Sequence, residues 1–220
     1  TGPLNDSLDG FSEPASGCVL CPRLVAYRSG NKEKYPDFFN APVPSFGSPN
    51  AVFLIVGLAP GLKGANWSGR PFTGDYAGDL LYSTLTSLGF ATGTYGAHAD
   101  DGLVLNSTQI TNAVRCAPPQ NKVVAQEIGA CGKFLSAEIT ALTNLKAILA
   151  LGTVAHGAVL RNLDVRKKDY PFGHGARHVL PDGVMLFDSY HCSRYNTNTN
   201  RLTEQMFQDV FIEIRKYIDL

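Results

Sequence analysis

Cys18 and Cys21 form a Cys-x-x-Cys pair, and Cys116, Cys131 and Cys192 are scattered behind them. Five thiols are an odd number with no export signal ahead of them, so a disulfide framework is not expected. Thiolates at such spacing ligate metals. Zinc usually shows a second Cys-x-x-Cys, whereas iron–sulfur clusters accept dispersed cysteines. Unliganded thiols are the third reading, and spacing alone leaves all three open. Pro22 follows Cys21 at once, which places the pair on a loop. Cys116 falls at the end of a strand, before Pro118 and Pro119, and Cys131 on the helix that follows.

Three other stretches hold groups able to do chemistry. Gly57-Leu-Ala-Pro-Gly61 is a sharp turn whose backbone amides could face a ligand. It lacks the glycine spacing of a dinucleotide or triphosphate loop, so no nucleotide cofactor is expected. Gly69-Arg-Pro-Phe-Thr-Gly-Asp75 sets a ring, a hydroxyl and a carboxylate just ahead of a helix. Thr73 or Asp75 suits the N-cap, and a capping carboxylate at a pocket rim can also act as a base. Ser189-Tyr-His191-Cys-Ser-Arg-Tyr195 is polar and aromatic directly after an apolar run. No Ser-His-Asp order or nucleophile elbow accompanies His191, so acyl transfer is not indicated.

The elements that must position these groups follow from the hydrophobic pattern. Residues 51–57 form an uninterrupted apolar run of strand length, as suits a parallel strand buried on both faces. Leu80, Leu81, Leu85 and Leu88 then recur at helical spacing until Gly89. Residues 108–114, 147–152 and 184–189 read as further strands, and 123–142 and 154–163 as helices. A last helix, capped by Thr203, carries Phe207, Val210, Phe211, Ile214 and Ile218 on one stripe. Residues 36–49, rich in proline, read as an irregular loop. Strand–helix alternation repeated four times predicts a single α/β domain, with a four-stranded parallel sheet flanked by helices on both faces. Ligands of such sheets sit beyond the carboxyl ends of the strands, which directs attention to the loops after Gly57, around Asn112 and after Ser189.

Composition bounds the class. With 220 residues, 44% of them hydrophobic and only 17% charged, one compact domain with an ample core is expected. Residues 1–16 are polar and read as a loose tail, with the domain over 17–220. The longest apolar run is too short for a bilayer, and Asp6, Asp9 and Glu13 precede the first base, Arg23, unlike a targeting peptide. A soluble, cytoplasmic monomer is the expectation. Nineteen Lys and Arg balance nineteen Asp and Glu, which argues against holding nucleic acid by bulk electrostatics. A DNA-binding role would need a local patch, and residues 161–178 hold five Lys/Arg against two Asp.

Together these stretches resemble the uracil-DNA glycosylase superfamily, most closely its family-five, or type-b, branch. The carrying residues are Gly57-Leu-Ala-Pro-Gly61, Gly69-Arg-Pro-Phe-Thr-Gly-Asp75, Ile110-Thr-Asn112-Ala-Val-Arg-Cys116, Pro171-Phe-Gly-His-Gly-Ala-Arg-His178 and His191-Cys-Ser-Arg-Tyr-Asn-Thr197. Arg201-Leu-Thr before the last helix adds support, so the likeness runs from Cys18 almost to the end. It implies a nucleoid-associated DNA-repair enzyme that flips a deaminated base out of the helix and hydrolyses its N-glycosidic bond, leaving an abasic site. It further implies a four-iron, four-sulfur cluster on Cys18, Cys21, Cys116 and Cys131, with structural zinc as the alternative. Cys192 is left over, where relatives usually carry proline.

The resemblance also implies roles. Phe72 would stack on the flipped base, Asn112 would read its Watson–Crick edge, and the Gly57, Leu58 and Ala59 turn would meet a pyrimidine carbonyl. His191 would donate to the pyrimidine oxygen as charge moves onto the leaving base. Ala59 stands where many superfamily members carry a polar residue that positions water. Asp75 is therefore expected to take that task, with Asn112 second and a merely positioned water third. Ser193 and Arg194 would contact phosphates and Tyr195 would fill the vacated stack. Trp67, the only tryptophan, is expected to pack at the rim. His174 and His178 are expected to touch backbone or hold their loop, and His98 and His156 to be structural or solvated. A pocket with Ala59 discriminates less, which extends the expected range to hypoxanthine and xanthine. Competing classes are a cluster-bearing DNA-binding or redox module without catalysis, and a zinc-stabilised hydrolase.

Overall fold

The computed structural model describes residues 13–219. Most of the expected tail therefore lies outside the described residues. Its last part is tied down: the Glu13 carboxylate accepts from the Ser45 amide and the Arg115 guanidinium, both at 2.8 Å.

The chain runs α1 (Pro22–Lys34), β1 (Phe46–Gly47), β2 (Phe53–Gly57), α2 (Ala65–Ser68), α3 (Tyr76–Ser87), β3 (Ala91–Thr92), β4 (Val104–Leu105), β5 (Thr108–Asn112), α4 (Ala125–Ala141), β6 (Ala147–Leu151), α5 (Thr153–Asn162), β7 (Arg177–Val179), β8 (Met185–Ser189), α6 (Arg194–Asn198) and α7 (Glu204–Ile218). The main sheet has six strands in the order β1-β5-β2-β6-β8-β7. Its four inner strands are parallel, as expected, and short antiparallel strands close both edges. Those edges correct the strand count. Neither was legible, because β1 lies inside the proline-rich stretch and β7 is three residues of mixed exposure.

Alternation along the inner strands explains their continuous apolarity. Phe53 and Ile55 of β2 face a layer built by α3 and α7, where Phe90, Phe207 and Phe211 pack. Leu54 and Val56 face the other layer, with Leu135 and Ile139 of α4 and Val159 of α5. A strand covered on both sides has no polar face to show. No helix among the described residues is long and apolar enough to cross a membrane.

Two local expectations are corrected. Pro22 opens a helix rather than marking a loop, its missing N–H costing nothing at the first helical position. Cys21 is that helix's N-cap residue and only Cys18 stays in the loop. The strand at 108 ends at Asn112, although the Ala113 and Val114 amides still donate to the Gly57 and Leu58 carbonyls.

The loop before α3 is held by a clamp. Phe72 has φ of +52°, a left-handed backbone that costs a bulky residue on the order of 1–3 kcal/mol. Each neighbour is tethered. The Tyr82 hydroxyl donates to the Pro71 carbonyl at 2.6 Å, and Arg70 Nε donates to Thr73 Oγ1 at 2.8 Å. Tyr95 Oη accepts from the Gly74 amide at 3.3 Å and donates to the Phe72 carbonyl at 3.4 Å. Arg70 itself forms a bidentate pair with Asp101 at 2.7 and 2.6 Å, and its guanidinium lies over the rings of Phe46, Tyr82 and Tyr95. Asp101 is half-buried as a residue, with its side chain almost fully covered. Its hydrogen bonds from Arg70 hold its carboxyl well below the usual carboxylate range. With a depressed folded-state pKa, the pair's contribution is present at neutral pH and is lost as the carboxyl is protonated in acid.

Removing one partner of such a pair strands the other charge. Asp101→Ala should lower the unfolding free energy by about 3–5 kcal/mol at neutral pH, read by urea denaturation. A loss below about 1 kcal/mol, the worth of an exposed pair, would show that the clamp does not bear on the fold.

Candidate functional site

β2 is first of the parallel strands in sequence, yet β5 and β6 flank it on opposite sides, so the connection reverses direction there. Ligand crevices open at such a switch point, beyond the carboxyl ends. Gly57 and Asn112, the last residues of β2 and β5, are paired in register. A side chain at 57 would collide with Asn112 Oδ1 and the Phe72 ring, so glycine here lets both close over the strand end.

The result is a recess of about 40 Å³ lined by Ala59, Phe72, Asp75, Asn112 and His191, among others. It opens beside a cleft of about 670 Å³ that shares Ala59, Asp75 and His191 and adds Leu58, Lys63, Asn121, Ser193 and Arg194. Three loops distant in sequence thus meet in one place.

Each wall has a local cause. Asp75 is the N-cap of α3, with Oδ1 accepting from the Gly78 amide at 3.1 Å, so cap and cleft wall are one residue. The Phe72 and His191 rings stack across the recess, centroids 6.0 Å apart and inclined by 27°. Burial pushes the His191 pKa down against the opposing pull of Asp75. The imidazole is therefore neutral at pH 7, able to donate through one nitrogen. Asn112 is buried, with its amide on the recess. Ser193 caps α6 by accepting from the Asn196 amide at 3.4 Å, and Arg194 lies over the Tyr76 ring. Tyr195 is 73% exposed on α6 and lines neither space.

Sequence reasoning passed over Asn121 and Lys63. Asn121 follows Pro118-Pro119-Gln120, and both Gln120 and Asn121 have φ of +56°. Left-handed residues side by side at a cleft are a mark of function. The available signal was an asparagine, which tolerates that backbone, after two prolines.

Of the remaining histidines, His98 is exposed, and the other three hold backbone or buried partners, as expected of them. His156 is buried and pairs with Asp188 at 2.7 Å, its other nitrogen facing the Tyr170 carbonyl. His178 meets the Pro171 carbonyl, and His174 Nδ1 accepts from the Tyr190 amide at 3.2 Å, one residue before His191.

A second locus lies across β5. Cys18, Cys21, Cys116 and Cys131 line one largely apolar cavity with Leu24, Val25, Val114 and Phe134. Arg28 Nη1 points at Cys116 Sγ from 3.3 Å and the Arg115 amide at Cys131 Sγ from 3.4 Å. Burial pushes the Cys21 and Cys116 thiols up to about 11. Among the described residues no three His, Cys, Asp or Glu side chains converge as ligands of a single ion. Cys192 stands apart, fully buried, its thiol donating to the Ala77 carbonyl at 3.5 Å.

Comparison with known proteins agrees with this geometry. The family model described as the uracil DNA glycosylase superfamily matches residues 44–215. A type-5 uracil-DNA glycosylase of Thermus thermophilus is 42% identical over 96% of this chain and 99% of its own length. One from Pyrobaculum aerophilum is 39% identical over 92% of this chain and 89% of its own. A type-4 uracil-DNA glycosylase of Sulfurisphaera tokodaii is more distant, at 28% over 93% and 84%. Motif order, a recess at the switch point and identity across nearly the whole length all agree: the chain belongs to the uracil DNA glycosylase superfamily, in its type-5 branch.

Proposed function

We propose that this protein is a DNA-repair glycosylase that hydrolyses the N-glycosidic bond of uracil in DNA. The observation that carries the reading is the convergence of Phe72, Asn112, Asp75 and His191 on one recess at the sheet's switch point. A base buried in duplex DNA must be turned out of the stack to reach such a recess. Phe72 offers it a ring face, and the Asn112 amide can both donate to and accept from a pyrimidine edge.

In the reaction the C1′–N bond breaks with its electron pair passing to the base, and water adds its oxygen to C1′. The water's proton ends on the departing base or on solvent. A neutral His191 donates to the pyrimidine oxygen where charge gathers, an effect worth about 2.7–4 kcal/mol for one well-placed donor. Asp75, at the cleft wall, stabilises the cationic sugar and orients the water. Asn121 presents a second amide to the same cleft. Lys63 and Arg194 meet phosphates at the mouth, which answers the neutral overall charge with local cations. Nothing polar at Ala59 rejects a purine, so hypoxanthine and xanthine fall within range.

The four cysteines at the second locus would hold a [4Fe–4S] cluster. Support comes from their all-thiol donor set around a shared apolar space and from N–H groups directed at two of the sulfurs. When bound, the cluster supplies a crosslink between the start of α1, the segment after β5 and α4.

Four measurements follow. On duplexes carrying uracil, hypoxanthine or xanthine, the protein should leave abasic sites, and Asp75→Asn should cut single-turnover excision at least about tenfold with its melting temperature intact. No excision of uracil by the native protein would sink the proposal. His191→Ala should slow cleavage by about 10²–10³ while DNA affinity changes little. The native rate should stay level from about pH 6.5 upward, since His191 acts unprotonated. A tenfold fall per pH unit above that point would make imidazolium the active form. Finally, native protein should be brown with ~4 iron and ~4 sulfide per chain. One zinc per chain without iron would contradict the cluster.

A further inference from the structure

Trp67 is 39% exposed and Phe39 44% exposed, a large apolar surface for two neighbouring residues to leave in water. Their backbones are laid side by side by design of the fold. The Phe39 amide donates to the Trp67 carbonyl at 3.1 Å, and the Asn40 amide to the Asn66 carbonyl at 3.2 Å. Beneath them Asn66 Nδ2 donates to Asn40 Oδ1 at 2.9 Å in a buried pair, with Asn40 held at φ of +47°. A mount this rigid for two exposed rings is more than rim packing requires.

The position of the tryptophan is the second observation. Its six-membered ring rests on the Cα of Gly74, at φ of +96°, where any side chain would strike the indole. Gly74 and Lys63 both line the large cleft, and Asp75 is the next residue. The indole therefore packs against a residue of the cleft wall, one position before the carboxylate, and Lys63 lines the same wall.

We infer that Trp67, with Phe39 behind it, is a stacking platform for the DNA strand that leads into the cleft, holding a base or sugar next to the extruded nucleotide. The occupant follows from that packing against the cleft wall and from Lys63: aromatic faces interleaved with cations suit nucleic-acid bases, whose π-faces stack without regard to sequence. The inference rests on the glycosylase reading and extends it to a contact surface that recess residues do not form.

The sole tryptophan makes the test direct, because emission reports that ring alone. Native protein is titrated with a duplex carrying a non-cleavable abasic analogue. Its fluorescence should fall, and acrylamide should quench the remainder less efficiently than in free protein. Trp67→Ala should weaken binding of the same duplex about tenfold, equivalent to about 1.4 kcal/mol, and Trp67→Phe should restore most of it, with melting temperatures alike. Unchanged emission and acrylamide access at saturating DNA, or native affinity in Trp67→Ala, would overturn the platform while leaving the glycosylase reading intact. Absence of any DNA binding or uracil excision by the native protein would instead remove both.

Discussion

Everything at the candidate site depends on holding one phenylalanine in a backbone conformation it resists. Phe72 at φ of +52° is left-handed, and a short loop ahead of a helix cannot keep a bulky residue there by itself. The Arg70–Asp101 pair supplies the restraint. It reaches from the hairpin formed by β3 and β4 to the loop, sheltered by three aromatic rings. Low local dielectric strengthens the pair and also makes it costly to break. Strain at Phe72 is thereby offset elsewhere in the fold, and the ring is presented rigidly at the sheet's carboxyl end.

The second constraint is space. Gly57 and Asn112 are register partners on adjacent strands, and the missing side chain at 57 lets Asn112 and Phe72 meet. The segment that follows Asn112 leads within four residues to Cys116 and passes through Arg115, which is buried against Glu138 and Glu13. Recess and cysteine pocket are therefore opposite ends of one short stretch, strapped to the Gly57 and Leu58 carbonyls in between.

Much of this was legible in the sequence. Apolar runs at 51–57 and 147–152 named their strands because burial on both faces erases polar alternation. The loops after Gly57, around Asn112 and after Ser189 pointed to the candidate site, since a parallel sheet binds at its carboxyl ends. What escaped had no local signature. Arg70 and Asp101 are 31 residues apart, and nothing in either neighbourhood announces the other. Edge strands of two and three residues are too short to show a period. Pro22 punctuates a loop and opens a helix equally well, so the reading of Cys21 turned on tertiary packing of Leu24 and Arg28. Asn121 reaches the cleft only because two left-handed residues turn the chain after Pro119.

The central claim is that the Phe72–Asn112–His191 recess receives the base. A crystal structure of the protein with duplex DNA carrying 2′-fluoro-deoxyuridine, which resists hydrolysis, tests it most directly. The account predicts the uracil turned out of the helix, its face on Phe72, its edge toward Asn112 and an oxygen toward His191. A uracil still stacked in the duplex would contradict it. So would one lodged in the neighbouring hollow lined by Phe172, Tyr190 and Arg201.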